Sequence, residues 1–561
     1  MKKTWQYFEE DESKSKEFSK KYSISEKLAT MLINRGCNTE EKIEKFLNPT
    51  RKDFYDPYLL KDMEKAVERI IKAIKNKEKT IIYGDYDAEG ITSITVLKKF
   101  LNQRGLNVDY HIPNRLEEGY GLNKQAIEKI AQDGYTLMIT VDCGISGIND
   151  VDYANSLKIE TIITDHHETL PELPNAVAVV NPKRKDSNYP FRGLAGVGVV
   201  FKLIQAISIK LELDEKEYLK FLDLVCIGTI SDIVPLIDEN RVISKLGLLL
   251  VERTKNIGLR ELIKASGFTK IDSNTISFGI APRINACGRM GVQEEALRLF
   301  ITEDLNEASK ITQKLNEFNK LRQDTEKEIL KEALDKLKDE EDNNCIILAG
   351  EHWHHGVIGI VASKITETYY KPSLLLCLEG DLAKGSGRSI KGFDLHKALY
   401  NCNECLEKYG GHAMAVGLSL KRSKFEEFKN KMEDYAKKFN IKDIPCIIYI
   451  DEEITYKDLN KEFINEIKLL EPYGEANKIP IFIYKNLKID SIRTLTDGKH
   501  LKLTLKDENK IINAIGFNMG ILAENYLIGD KIDIIGMLEE NEYNGNYNIQ
   551  INLVDIRKSY T

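Results

Sequence analysis

Three apolar runs, each ending in aspartate, constrain this chain more than any other feature. They read Ile81-Ile82-Tyr83-Gly84-Asp85-Tyr86-Asp87, Leu137-Met138-Ile139-Thr140-Val141-Asp142 and Thr161-Ile162-Ile163-Thr164-Asp165-His166-His167. Runs this apolar, spaced by helix-length segments, predict buried parallel strands joined by crossover helices. In an open α/β sheet the carboxyl ends of neighbouring strands converge on one crevice, where ligands bind. That crevice would gather Asp85, Asp87, Asp142, Asp165, His166 and His167. So many carboxylates cannot stay ionised together without compensation, and divalent metal is the simplest compensation. Imidazole is a normal ligand beside carboxylates. The pattern points to metal-dependent chemistry.

A chain of 561 residues is too long for one core, and roughly two to four domains are expected. No apolar run approaches the length needed to span a bilayer, and the start, Met1-Lys2-Lys3-Thr4-Trp5-Gln6-Tyr7, leads into acidic sequence without a signal-like apolar stretch. Nine scattered cysteines, mostly in apolar segments, suit a reduced cytoplasmic protein. A net charge of −7 gives no global attraction to nucleic acid, so a polyanion would have to be held by metals and a local basic groove.

The expected organisation is a mainly helical N-terminal segment over 1–61, a catalytic α/β domain over 62–290, a long connecting helix over 291–342, a second α/β domain over 343–445 and a β-barrel over 446–561. No Gly or Pro lies between Gly291 and Gly350. Most of that stretch should be helical, from near Glu303 to about Glu341, and about 55–60 Å long. The C-terminal part has short strand-like runs, such as Leu501 to Leu505, Ile511 to Gly516 and Lys531 to Gly536. A hairpin-like Glu542-Tyr543-Asn544-Gly545-Asn546-Tyr547 follows. That spacing suits an oligonucleotide-binding (OB-type) barrel.

Any one of the strand-end aspartates could be a helix N-cap. Three adjacent endings, one with two aspartates and one with His-His, are harder to assign to capping. A fourth acidic element, Gly228-Thr229-Ile230-Ser231-Asp232-Ile233-Val234-Pro235-Leu236, places Asp232 at a helix end among apolar neighbours. Arg283 and Arg289 lie in a Gly- and Pro-bounded segment without helical periodicity, where guanidinium forks suit phosphate.

The segments YGDYDAEG (83–90), TVDCGIS (140–146), TDHHE (164–168) and GTISDIVPL (228–236) resemble the four ordered motifs of the DHH phosphoesterase superfamily. Further segments point within it to the RecJ-type single-stranded-DNA exonucleases: LAGVGVVFKL (194–203), APRINACGRM (281–290), HWHHGVIGIVASKI (352–365), GSGRSI (385–390), GGHAMAVG (410–417) and EPYGEANKIPIF (471–482). The resemblance runs from about Lys61 to Thr561. It implies that Asp87, Asp142, His166 and Asp232 hold one metal ion, and that Asp85 and Asp142 hold a second. It also implies that His167 meets the scissile phosphate. Two Mn²⁺ or Mg²⁺ ions would then drive in-line phosphodiester hydrolysis. Glu89 stands where the family usually has Asp, and is read as lining the site. Arg289 gains support as a phosphate ligand. GSGRSI and GGH resemble nucleic-acid-contacting elements, with Arg388, Ser389, Gly411 and His412 as donors; the alternative is two Gly turns and a core histidine.

The activity so implied is removal of 5′-mononucleotides from single-stranded DNA in the 5′-to-3′ direction, in recombination and repair. The implied company is a single-stranded-DNA-binding protein and a helicase, with no membrane and a monomeric chain. A DHH phosphodiesterase acting on short oligonucleotides or cyclic dinucleotides, or a silent DNA-binding relative, would be the alternatives. His352 and His355 are read as packing or solvent-facing, and Cys402 and Cys405 as buried positions. Gly193, Gly196 and Gly198 are read as a close-packed turn rather than a dinucleotide fingerprint. In the barrel, Tyr473, Phe482, Tyr484, Lys502 and Phe517 are candidate base-stacking or backbone-following residues.

Overall fold

The computed structural model describes residues 3–9, 11–115, 118–338, 343–543 and 546–559; of the expected hairpin, Asn544 and Gly545 lie outside these. The described chain forms two compact units. One contains residues 54–234 and 246–446, the other residues 3–53, 235–245 and 447–559.

The first unit opens on a five-stranded parallel sheet: β1 (Thr80–Gly84), β2 (Val108–His111), β3 (Leu137–Val141), β4 (Glu160–Thr164) and β5 (Ala178–Val180), in the order β2-β1-β3-β4-β5. Every residue of β1 and β3 is buried, which is why those strands read as unbroken apolar runs. The three aspartate-ended runs are the adjacent strands β1, β3 and β4, so their acidic endings lie side by side. Helices α1 (Ala88–Asn102), α2 (Gly196–Lys210) and α3 (Leu222–Ser231) pack on one another and are almost wholly buried. Helix α2 starts at Gly196, so Gly196 and Gly198 open the helix, whereas Gly193 lies in the turn before it.

Arg283 and Arg289 do not lie in a loop. Thr275–Ile280 forms a π-helical turn that runs straight into α4 (Ala281–Arg289), with Pro282 in the first turn, where its missing N–H costs nothing. Within the 291–342 stretch, the described residues up to 338 form two helices, the second of them the expected long one. Gln293–Ile301 is separate, Thr302 is extended, and Asp304 caps α5 (Leu305–Leu337) by accepting from the amides of Asn306 and Glu307. Helix α5 has 33 residues and spans about 50 Å. It packs against α4 and against α6 (His355–Tyr369).

Helix α6 covers a mixed sheet of β6 (Ile346–Gly350), β7 (Ser373–Glu379), β8 (Leu382–Arg388), β9 (Lys408–His412) and β10 (Ala415–Lys421), in the order β9-β10-β8-β7-β6. GSGRSI and GGH therefore lie largely on strands, not in Gly turns. A Cβ at Gly385 would meet Leu418 and Leu376 side chains at 2.8 and 2.9 Å, so this glycine serves core packing.

In the second unit, Phe482–Leu495, His500–Asp507, Lys510–Gly516, Asn546–Lys558 and Lys531–Tyr543 pair in that order. Lys531–Tyr543 returns to Phe482–Leu495, closing a five-stranded barrel of the OB type. The N-terminal helices are not a free-standing segment. Phe18, Leu28, Met31, Leu32, Ile43 and Phe46 share one apolar core with barrel residues such as Leu501 and Ile534. Of the barrel's stacking candidates, Phe482 and Tyr484 are buried and Tyr473 packs against the same core. Phe517 is half exposed beside His500, and Lys502 is partly exposed. No helix of the described residues is long and apolar enough to cross a membrane.

Candidate metal centre

Backbone geometry at the strand ends aims the acidic groups at one another. Asp87 caps α1, its Oδ1 accepting from the amides of Glu89 and Gly90 at 2.9 and 3.0 Å. Gly90 is needed there, because a Cβ would lie 2.4 Å from the Asp85 carbonyl oxygen. Asp142 adopts a left-handed backbone with φ of 58°, a conformation Asp tolerates better than most residues. The start of α2 passes close to it: a Cβ on Gly196 would lie 2.9 Å from Asp142 Oδ1.

Three groups of ligand atoms result, each with its members within 4.8 Å of one another: Asp85, Asp87 and Asp142; Asp142, His166 and His167; Glu89, His166 and Asp232. Asp142 belongs to two of them, and so does His166. His166 Nε2 lies 3.3 Å from Asp142 Oδ1, 3.6 Å from Glu89 Oε2 and 3.7 Å from Asp232 Oδ2. Burial, then the neighbouring His167, pulls His166 down to about 3, so the imidazole is neutral. Both its ring nitrogens are buried without a hydrogen-bond partner, as are Asp85 Oδ1 and Asp142 Oδ1. Burial and then repulsion from Asp87 hold Asp85 and Asp142 well above the usual carboxylate range. A buried array of unpartnered oxygens and nitrogen, all acceptors when ionised or neutral, fits hard divalent cations such as Mn²⁺ or Mg²⁺.

His167 is set differently. Its Nδ1 lies 2.7 Å from Asp165 Oδ1, and Asp165 also accepts from the amides of Ile145, His166 and His167. Burial is the largest single effect on His167 and lowers its pKa. The hydrogen bond and charge of Asp165, with the charges of Asp232 and Asp85, together outweigh it, and the net shift is upward. Tyr120 Oη lies 3.1 Å from the Asp142 carbonyl and 3.2 Å from His167 Nδ1.

Beside this centre is a basic cluster. Arg289 Nη1 donates to the Gly356 carbonyl at 2.8 Å, tying α4 to the start of α6. Burial, then the charges of Arg115, Arg322 and Arg388, pulls Arg289 down to about 9. Arg115 lies 5.2 Å from the Tyr86 ring centroid, and after burial its charge is what depresses Arg388, His354 and His355. Cations crowded this way are suited to an anion. Arg283 takes no part. Its guanidinium donates to Asn316 Oδ1 and to the Gly279 and Ala265 carbonyls, a structural tie.

Ser389 also falls away: it is buried and its hydroxyl donates to the Phe393 carbonyl at 2.7 Å. Ser386, two residues before Arg388 on β8, instead accepts from its Nη1 at 3.2 Å. His412 is exposed at the end of edge strand β9, and Gly411 is held with φ of 126° against the Ala415 carbonyl. His354 caps α6, Trp353 is buried and bonds Glu332, and His355 is half-buried. Sequence reasoning did not single out Arg115, Tyr120 or Ser386, and placed Asp165 in the crevice and Glu89 along its lining without a further task.

Comparison with known proteins agrees with this architecture part by part. Residues 79–229 match the DHH family N-terminal domain, residues 342–438 the DHHA1 domain and residues 450–555 the RecJ OB domain. The chain is 38% identical to the single-stranded-DNA-specific exonuclease RecJ of Bacillus subtilis, across 99% of this chain and 71% of that protein. The chain belongs to the RecJ family. The Escherichia coli RecJ is 31% identical over 93% of this chain and 94% of its own length. The crystal structure of RecJ from Thermus thermophilus in complex with Mn²⁺ has a TM-score of 0.88 at 30% identity, covering 100% of this chain and 80% of that one. Two α/β domains joined by a long helix, followed by an OB-type barrel, are thus the architecture of this RecJ-family chain.

Proposed function

We propose that this chain is a single-stranded-DNA-specific exonuclease that releases 5′-mononucleotides in the 5′-to-3′ direction by two-metal-ion hydrolysis. The observation that carries the reading is the neutral, unpartnered imidazole of His166 facing oxygens of Asp142, Glu89 and Asp232. Asp85, Asp87, Asp142, His166 and Asp232 would hold two divalent ions, with Asp142 shared. When bound, such ions polarise the phosphodiester, acidify the attacking water and stabilise the leaving oxygen.

The chain's own residues do the rest. Asp165 fixes the His167 ring through Nδ1 and favours its protonated form, in which Nε2 would donate to a phosphate oxygen. Tyr120 packs edge-on against that ring with centroids 5.6 Å apart and limits its rotation. Arg289 and Arg388, with Arg115 and Ser386, would grip the phosphates of the terminal nucleotide and orient the strand. The relatives' names, each a single-stranded-DNA-specific exonuclease RecJ, support the substrate class.

The test is Mn²⁺-dependent digestion of an internally labelled single-stranded oligonucleotide with the 5′ or 3′ end blocked, beside a duplex control. Mononucleotide release stopped by the 5′ block alone, with the duplex resistant, is the expected result. Cleavage of dinucleotides only, or release stopped by the 3′ block alone, contradicts it.

A further inference from the structure

Glu89 is the acidic side chain at this centre that the strand-end motifs leave without a task. It sits two residues beyond Asp87 on the first turn of α1 and is 2% exposed. Its two carboxylate oxygens do different things. Oε1 accepts from the backbone amides of Gly196 and Val197, where α2 begins. Oε2 faces His166 Nε2 at 3.6 Å, and the carboxylate lies beside that of Asp232. Among the described residues its one ion-pair partner is the His166 imidazole, and no lysine or arginine pairs with it. Its ligand atom and those of His166 and Asp232 lie within 4.8 Å of one another.

We propose that Glu89 is itself a metal ligand, adding a carboxylate oxygen to the position that His166 and Asp232 serve. The proposal rests on the metal-centre reading above and deepens it. The length of the side chain is the reason. An aspartate is one methylene, about 1.5 Å, shorter. From this helix position it could serve the α2 amides or the cation, but not both. Glutamate bridges them, so the start of α2, which also runs past Asp142, is tied to the ion through one carboxylate. A further anionic oxygen favours an ion that accepts several protein donors over Mg²⁺, which keeps its waters and demands near-ideal octahedral geometry.

The experiment uses the full chain with Mn²⁺ alone as probe. Binding is titrated by the loss of the free-ion electron paramagnetic resonance signal, and waters on the bound ion are counted by deuterium electron spin echo modulation in D₂O. Glu89→Gln keeps the size and the acceptor for the Gly196 and Val197 amides but gives up a carboxylate oxygen. Glu89→Asp keeps the charge and gives up the reach. Both variants should bind one ion about tenfold more weakly and carry one additional water on it. Wild-type affinity and water count in Glu89→Gln would overturn the proposal. So would restoration of both by Glu89→Asp, which would show that charge and not ligation matters. A wild-type chain that binds no Mn²⁺ fails earlier, and overturns the metal centre itself.

Discussion

Asp232 shows what the centre demands of a single residue. Burial, together with repulsion from Asp87, pushes its carboxyl up to about 6 even though Glu89 hydrogen-bonds it. In the metal-free protein these carboxylates oppose folding, because like charges are held together out of water. Asp232→Asn should therefore raise metal-free stability by about 1–2 kcal/mol, roughly 2–4 °C per kcal/mol in melting temperature. The same change should abolish most of the stabilisation that saturating Mn²⁺ gives the wild type. Thermal melts with and without Mn²⁺ check both halves. A variant less stable than wild type without metal, yet equally stabilised by it, would contradict the account. Function at this residue is thus set against stability, as at other sites that concentrate charge.

At the scale of elements, α4 carries two arginines with opposite fates. Arg283 satisfies buried carbonyls at Gly279 and Ala265, whereas Arg289 joins Arg115 and Arg388 in a cationic cluster. Arg283→Met should cost about 2–3 kcal/mol of stability by leaving those carbonyls unpaired, with little change in oligonucleotide affinity. Arg289→Met should cost about 1 kcal/mol through the one Gly356 carbonyl it leaves unpaired, less than Arg283→Met. It should also weaken single-strand binding and lower its salt slope by about one. Denaturant unfolding and salt-titrated binding separate the two, and equal effects on binding would contradict the assignment.

The same scale shows what could be read in advance. Strands β1, β3 and β4 were legible because burial on both faces leaves unbroken apolar runs, and their adjacency then brought Asp85, Asp142 and His166 together. Ser386 was legible in principle, since strand alternation puts it, and not Ser389, on the side of Arg388. Arg115, in the loop after β2, and Glu89, on a helix packed around the sheet, join the site only through tertiary structure. No local pattern marks them.

For the whole molecule, a net charge of −7 means that any affinity for a polyanion has to be local. The second unit has its own anchor. Arg241 is fully buried, lies 3.5 Å from the Phe46 ring centroid and donates to the carbonyls of Phe46, Leu469, Leu470 and Glu471. Burial pulls it down to about 10, and it remains charged at neutral pH. Arg241→Met should destabilise the unit formed by the barrel and the N-terminal helices by about 3–4 kcal/mol. The loss should appear in barrel amide exchange, with the sheet of β1–β5 unaffected, and uniform loss of protection in both units would argue otherwise.

The central claim is that the aspartates and His166 form one two-ion centre with Asp142 shared. Equilibrium titration of the chain with Mn²⁺, wild type against Asp142→Asn, tests it most directly. Two ions per wild-type chain, with both weakened at least about tenfold by the single substitution, is the predicted result. No bound Mn²⁺ in the wild type, or two ions held as tightly by Asp142→Asn, would contradict it.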